Sequence, residues 1–278
     1  MGEPMARHLL KARGQLVVWN RTSTKADPLV KEGATAAPDL GDLASACDVI
    51  ILCVNRTEDV KQCVDQIAPG AKPGTLIIDH STISPPSAGQ FHSELAERNL
   101  RFVDAPITGG SMGAQSGQLT IFCGGPEADV AEAIEIVKPY TKRAERVGGP
   151  GSGQTMKMAN QIAVGGALLA LCECLAFADK AGLDLRQTRD LLSGGAAGSW
   201  AFENYGPKIL AEDWSPGFSV KNQRKDFAYC QETASQIDAA IPGTLLVDGL
   251  LAELEDEGHG EWTTAALFEV LRDMEFTE

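Results

Sequence analysis

The sequence has no surplus of positive charge. Its 24 Lys and Arg stand against 38 Asp and Glu, a formal net charge of −14. A general nucleic-acid binder needs a basic face to neutralise phosphates, so no nucleic-acid partner is expected; a local basic pocket for a small anion remains compatible. Cysteine pairing is also missing. The seven cysteines are odd in number and scattered, with no CxxC pair, and the nearest two are Cys172 and Cys174. That argues against a disulfide or zinc framework and fits reduced thiols in a cytoplasm. The four histidines (His8, His80, His92, His259) form no metal-like cluster, and no metal is expected. No basic start with an apolar run and a small-residue cleavage site opens the chain. The most apolar stretch, residues 162–172, is ended by Glu173 and is too short for a membrane span, so a buried helix and no membrane partner are expected.

What remains is an ordinary globular mixture, 44% apolar and 22% charged over 278 residues. At roughly 150 residues per domain this length suits two domains or one large one. The first half alternates. Residues 15–19 (QLVVW), 48–54 (DVIILCV), 75–79 (TLIID), 101–105 (RFVDA) and 119–123 (LTIFC) read as strands. The second of these is almost continuously apolar, as a strand buried on both faces must be. Helical patterns near 4–13, 25–32, 59–67, 85–98 and 127–138 lie between them. Such alternation predicts βαβ units and a parallel sheet. From Gly153 onward helical patterns dominate, after a run of helix breakers over 148–153. The expected division is therefore an α/β, Rossmann-type domain over 1–148 and an all-α domain over 149–278. The opening Met1-Gly2-Glu3-Pro4 reads as the start of a helix, so either the sheet lacks a first strand and its glycine-rich turn or the given start lies downstream of the true one.

Several segments have the residue types that site chemistry needs. Asn20-Arg21-Thr22 follows the first strand, where an Arg suits a 2′-phosphate and an acidic residue would suit a 2′-hydroxyl. A solvated polar loop is the alternative. Ser81 and Thr82 end the strand at 75–79, where they face a ligand crevice or cap the next helix. Residues 104–117 (DAPITGGSMGAQSG) combine a strand end with glycines whose amides can converge on an anion, and Thr108, Gly109 and Gly110 are suited to a small carboxylate. Lys157, Asn160 and Gln161 stand at i, i+3 and i+4 and share one helix face. A lysine entering so apolar a helix is paired, snorkelling or functional; partly desolvated, its amine becomes a proton donor and acceptor near neutrality. Lys225 lies in a second basic group, residues 221–226, which by itself reads as an exposed charge run.

Four stretches in order, residues 1–6 (MGEPMA), 104–120 (DAPITGGSMGAQSGQLT), 151–160 (GSGQTMKMAN) and 217–226, resemble the β-hydroxyacid dehydrogenase superfamily across essentially the whole chain. This resemblance implies an N-terminal Rossmann domain, a C-terminal helical domain and one long helix joining them. The implied activity is hydride transfer between a nicotinamide cofactor and a small 3-hydroxy or 2-hydroxy acid or its semialdehyde. It also implies Lys157 as catalytic general acid and base. Thr108, Gly109 and Gly110 are implied to hold the substrate, with Asn160 and Gln161 beside the lysine. Gly2, Cys53, Val54, Thr82 and Lys225 are the implied cofactor contacts. Asn20, Arg21 and Thr22 resemble members that use NADP, with NAD as the other possibility. Of the family's G-x-G-x-x-G turn only the last glycine, Gly2, stands in this sequence; Thr108 replaces the commoner Ser, Gln161 a common Asn, and Val54 a common Pro. The family also implies a homodimer or homotetramer. A second reading is a non-catalytic oligomeric module of the same fold that binds no cofactor because the first strand and G-x-G turn are missing.

Overall fold

The computed structural model describes residues 1–275 and divides into two compact units, Met1–Lys157 and Met158–Glu278. The first unit contains strands β1 (Val17–Val18), β2 (Thr35–Ala36), β3 (Val49–Leu52), β4 (Leu76–Asp79), β5 (Arg101–Asp104), β6 (Ile107–Thr108), β7 (Leu119–Gly124) and β8 (Thr141–Gly148). Its helices are α1 (Gly2–Arg13), α2 (Asp27–Lys31), α3 (Leu40–Ala46), α4 (Thr57–Ile67), α5 (Pro85–Ala96), α6 (Gly110–Ser116) and α7 (Glu127–Val137). Helix α8 (Ser152–Lys180) starts in this unit and continues into the second. There follow α9 (Leu185–Ser193), α10 (Trp200–Asn204), α11 (Gly206–Leu210), α12 (Val220–Ile237), α13 (Pro242–Asp256) and α14 (Leu267–Asp273). Among the described residues the second unit has no strand beyond an isolated bridge, Ser219 to Thr263, in line with the helical patterning.

The expected parallel core is present as β3-β4-β5, paired in register from Val49–Leu76–Arg101 to Leu52–Asp79–Asp104. Its residues are apolar without alternation because helices cover both faces: Ile77 and Phe102 join one core cluster, and Leu76, Ile78 and Val103 the other. The sheet then changes sense. β7 runs antiparallel to both β5 and β6, and β8 pairs with β7 in parallel. The first predicted strand shrinks to Val17–Val18, which pairs only with β2 in a separate two-stranded sheet. Strand β8 (TKRAERVG) escapes a pattern reading because it carries charges at exposed positions and has no apolar run.

The breakers at 148–153 end sooner than their composition implies, since Ser152 and Gly153 are already helical. Helix α8 is long and apolar enough to cross a bilayer by length and composition alone. In the second unit its Leu168, Leu171, Cys172 and Leu175 are fully buried in a cluster with Phe227, Val247, Leu251 and Leu267, so it is a core helix there.

Among the ionisable groups buried at the strand ends are His80 and Asp104. His80, after β4, donates from Nδ1 to the Ala105 carbonyl (2.6 Å) and accepts at Nε2 from the Tyr140 hydroxyl (2.8 Å). Burial pushes this imidazole down to about 4, against the weaker raising effect of the Ala105 bond. Burial pushes Asp104, at the end of β5, up to about 6, while hydrogen bonds from backbone amides pull it the other way. The two have opposite linkage. Unfolded His80 takes a proton that the folded site refuses, so stability falls as pH drops from 6.5 toward 4. Folded Asp104 takes a proton before the unfolded chain does, so its contribution grows as pH drops through 6 toward 3.8 and is lost as pH rises again. Each displacement is worth about 3 kcal/mol at full effect. Between pH 7 and about pH 4.5, urea denaturation of His80→Asn should show an acid loss smaller than the parent's by about 2–3 kcal/mol, and that of Asp104→Asn a loss larger by about 2 kcal/mol. Identical pH slopes in all three proteins would contradict both assignments.

Candidate functional site

The amino end of α8 is held by a residue far away in sequence. In a capping box the N-cap side chain binds the amide at N3, and the N3 side chain returns to the N-cap amide. Here the N-cap position is Gly151, which has no side chain. Asp104 supplies both bonds from the end of β5. Its Oδ1 accepts from the Gly151 amide (2.8 Å) and its Oδ2 from the Gln154 amide (2.9 Å). The carboxylate fits because two glycines make room. A Cβ on Gly124 would lie 2.5 Å from Asp104 Oδ1, and one on Gly153 2.5 Å from the carbonyl oxygens of both Asp104 and Phe122.

The Gln154 side chain is thereby free for other work, and it is fully buried. Its Oε1 accepts from the Ile83 amide (3.1 Å) and its Nε2 donates to the Ser81 carbonyl (2.8 Å). Ser81 in turn accepts at Oγ from the Val54 amide (2.9 Å), and its own amide donates to Asp79 Oδ1 (2.9 Å). Ser81 is thus a tie between the ends of β3 and β4. Helix α5 begins after Ser84 with no side-chain cap.

One turn beyond Gln154 the helix presents Lys157. Its side chain is buried, and Nζ donates to the Ile107 carbonyl (2.9 Å). The residue after that carbonyl is Thr108, half-buried and paired with Thr120 of β7. Gly109 and Gly110 follow at φ of 122° and 64°, values that side chains with a Cβ resist, and both are accessible or nearly so. The structure therefore brings together four predicted residues: Lys157, Thr108, Gly109 and Gly110. The remainder of the glycine-rich run is not loop but the short helix α6.

Of the predicted cofactor residues, Asn20, Arg21, Thr22, Cys53, Val54 and Thr82 follow the carboxyl ends of strands, whereas Gly2 opens α1 and Lys225 lies in the second unit. Gly2 is the first residue of α1, and a Cβ there would lie 3.7 Å from that of Cys53. Val54 is tied to Ser81, and Thr82 is half-buried in the same turn. In the 20–22 loop the Asn20 side-chain amide donates to the Thr22 carbonyl (2.8 Å). Arg21, 69% exposed, pairs with Asp59 of α4 (2.5 Å). Asp59 was not marked by any local motif, since it reads as an ordinary first-turn acid.

In the second unit Asn160, Gln161 and Lys225 belong to one network. Asn160 Nδ2 donates to Gln161 Oε1 (2.9 Å), and Gln161 Nε2 donates to Asp226 Oδ2 (2.8 Å). Lys225 Nζ pairs with Asp226 Oδ1 (3.0 Å) and lies 5.7 Å from the centre of the Tyr229 ring. Only 12% of the Lys225 side chain is exposed, so it is not part of an open charge run. Its neighbours are: Lys221 pairs with Glu261, and Arg224 with Asp248 and Glu255. Asp226 holds this group together; only its adjacency to Lys225 hinted at that.

Residues 1–149 match the family model for the NAD binding domain of 6-phosphogluconate dehydrogenase. Residues 151–271 match the one for the NAD-binding region of NADP-dependent 3-hydroxyisobutyrate dehydrogenase. The chain is 35% identical over 271 residues to probable 3-hydroxyisobutyrate dehydrogenase-like 1 of Arabidopsis thaliana, covering 96% of this chain and 81% of that one. It is 32% identical over 277 residues to 2-hydroxy-3-oxopropionate reductase of Escherichia coli K12, covering 99% and 94%. The solved structure of 3-hydroxyisobutyrate dehydrogenase from Mycobacterium tuberculosis with L-serine is similar at a TM-score of 0.89 and 25% identity, covering 98% of this chain and 96% of that one.

The glycine at 153 is a steric requirement, which a pair of variants tests. Gly153→Ala forces a methyl against two backbone oxygens and should lower the unfolding free energy by roughly 2–3 kcal/mol. Gly166→Ala, where no atom lies within 4 Å of the added Cβ, should raise it by about 0.5–1 kcal/mol. Urea melts showing equal effects would refute the close approach at Gly153.

Proposed function

The chain belongs to the β-hydroxyacid dehydrogenase superfamily, and on that premise we propose that it is an NAD(P)-dependent oxidoreductase acting on a small 3-hydroxy or 2-hydroxy acid or the corresponding semialdehyde. One observation carries the reading: a buried lysine amine held on a backbone carbonyl next to the Thr108-Gly109-Gly110 bend.

The donor chemistry at the strand ends fits an anionic dinucleotide. Helix α1 starts at Gly2 with no side-chain cap, and free amides at a helix start suit a phosphate. Gly2, Cys53, Val54 and Thr82 would line the body of the cofactor. Asn20, Arg21 and Thr22 would meet its adenosine end, and Lys225 would add a further cation. When bound, the cofactor supplies or accepts the hydride.

The remaining steps belong to the protein. Thr108, with its hydroxyl, and the amides of Gly109 and Gly110 hold the substrate carboxylate. Lys157 gives a proton to the oxygen that becomes the alcohol during reduction and takes it back during oxidation. Asn160 uses one of its two amide N–H groups on Gln161, so its carbonyl oxygen and its second N–H are what it would offer to the substrate. Gln161, anchored on Asp226, fixes that orientation.

NADP is the preferred cofactor in this reading, because a guanidinium at Arg21 pairs with a 2′-phosphate. The Asp59 contact keeps that guanidinium in place until the phosphate arrives. An oligomer of identical chains is part of the same reading: Phe177, Leu191 and Leu246 of the helical unit stand well exposed. A cytoplasmic setting is part of the same reading, in keeping with seven scattered cysteines that include no CxxC pair.

With a panel of semialdehydes and hydroxy acids, Lys157→Ala should lose roughly 10²–10⁴-fold in kcat with its fold intact. Turnover close to the parent's would discard the mechanism. Arg21→Ala should raise KM for NADPH roughly 10- to 100-fold and leave that for NADH nearly unchanged. Equal effects on the two cofactors would remove the NADP preference from the account.

A further inference from the structure

We propose that Asp104 is a positioning residue for Lys157, acting through the amino end of α8 and not by contact with substrate or cofactor. This inference rests on the functional reading given above for Lys157.

The segment from Asp104 to Gly110 supplies the carbonyl that holds the lysine, at Ile107, and the bend beside it, at Thr108-Gly109-Gly110. The helix supplies the lysine itself. Asp104 joins the two at their origin, three residues before Ile107 on one side and one helical turn before Lys157 on the other. Its two oxygens bind two different amides of the helix start, which fixes both the rotation of the helix about its axis and its advance along it. Gly124 and Gly153 leave the space in which the carboxylate sits against the helix start, and Gln154 ties the same turn to Ser81 and Ile83. A one-turn lever this short transmits any slip at the cap directly to the amine. Displacement of a reacting group by about 1 Å costs on the order of 10²-fold in rate.

A buried carboxylate is an expensive choice for a cap, since a serine or threonine at position 151 would have capped the helix locally. Position 151 is closed to such a residue. Its φ is +84°, and a Cβ there would stand 2.8 Å from the Pro85 carbonyl oxygen. The cap therefore had to come from elsewhere, and the strand end that leads to Ile107 provides it.

The test uses Asp104→Asn, which keeps the shape but leaves one amide facing an NH₂ group instead of an oxygen. Lysines are reductively methylated with isotopically labelled formaldehyde, and the Lys157 resonance is assigned by its loss in Lys157→Arg. In Asp104→Asn the Lys157 resonance and its titration should shift. Turnover should fall roughly 10- to 100-fold in kcat, with cofactor binding by fluorescence unchanged. A folded Asp104→Asn protein whose Lys157 resonance and titration superimpose on the parent's overturns the proposal. If the parent itself turns over no hydroxy acid or semialdehyde while the resonance still shifts, the functional reading fails and the positioning claim stands. Should Asp104→Asn not fold, the parent is read in rising urea below its transition, with amide exchange at Gly151 and Gln154 followed beside amine labelling at Lys157. Labelling that rises in step with exchange at those two amides supports the proposal; labelling that stays flat while they exchange overturns it.

Discussion

A single carboxylate, at Asp104, sets the geometry of the first unit's site. It lies at the end of a central strand, out of contact with water, and its oxygens are taken by the amides that open a 29-residue helix. Burying such a group costs free energy, which is reflected in its raised pKa. The cost is tolerable because helix amides are pre-aligned donors with a favourable dipole. The hydrogen bonds that join the helix start to the ends of β3, β4 and β5 meet at this junction. Gln154 reaches the turn after β4 because the carboxylate has taken over its capping role, and Ser81 then carries that connection on to β3.

The parts of this arrangement that the sequence made legible are those with local signatures. The apolar runs of β3, β4 and β5 announce a sheet covered on both faces. Lys157, Asn160 and Gln161 announce a polar stripe on an apolar helix, and Thr108-Gly109-Gly110 a bend with accessible amides. The illegible parts are pairings between distant positions. Asp104 carries no mark that distinguishes it from a solvated strand end. Asp59 looks like a favourable first-turn acid, and its partner Arg21 lies 38 residues away. Asp226 anchors Gln161 across 65 residues of sequence. Gly153 was misleading in a different way: a glycine normally breaks a helix, but here it is helical because nothing larger fits between Asp104 and Phe122. The edge strand β8 was hidden because the charges that protect an edge also erase the pattern by which strands are recognised.

Polar groups buried for structural reasons and polar groups poised for chemistry thus sit side by side. His80 is held neutral between Ala105 and Tyr140 and serves the fold. Lys157, in the same unit, is also buried but ends at a bend with open backbone amides. What separates the two is not burial but what lies next to the polar atom. In the second unit the same logic applies to Lys225, where Asp226 and the Tyr229 ring hold a cation that a sequence reading would have left in water. Membership of the β-hydroxyacid dehydrogenase superfamily joins these observations into one account, in which the protein contributes placement and proton transfer and a nicotinamide contributes the hydride.

The central claim is that the amine at position 157 carries the proton. Chemical rescue tests it most directly: Lys157→Ala is assayed with small primary amines of graded basicity added to the solution. The account predicts that activity returns in proportion to amine concentration, with rates that follow amine basicity along a Brønsted line. Full binding of cofactor and substrate with no rescue by any amine small enough to enter the vacated space would contradict it.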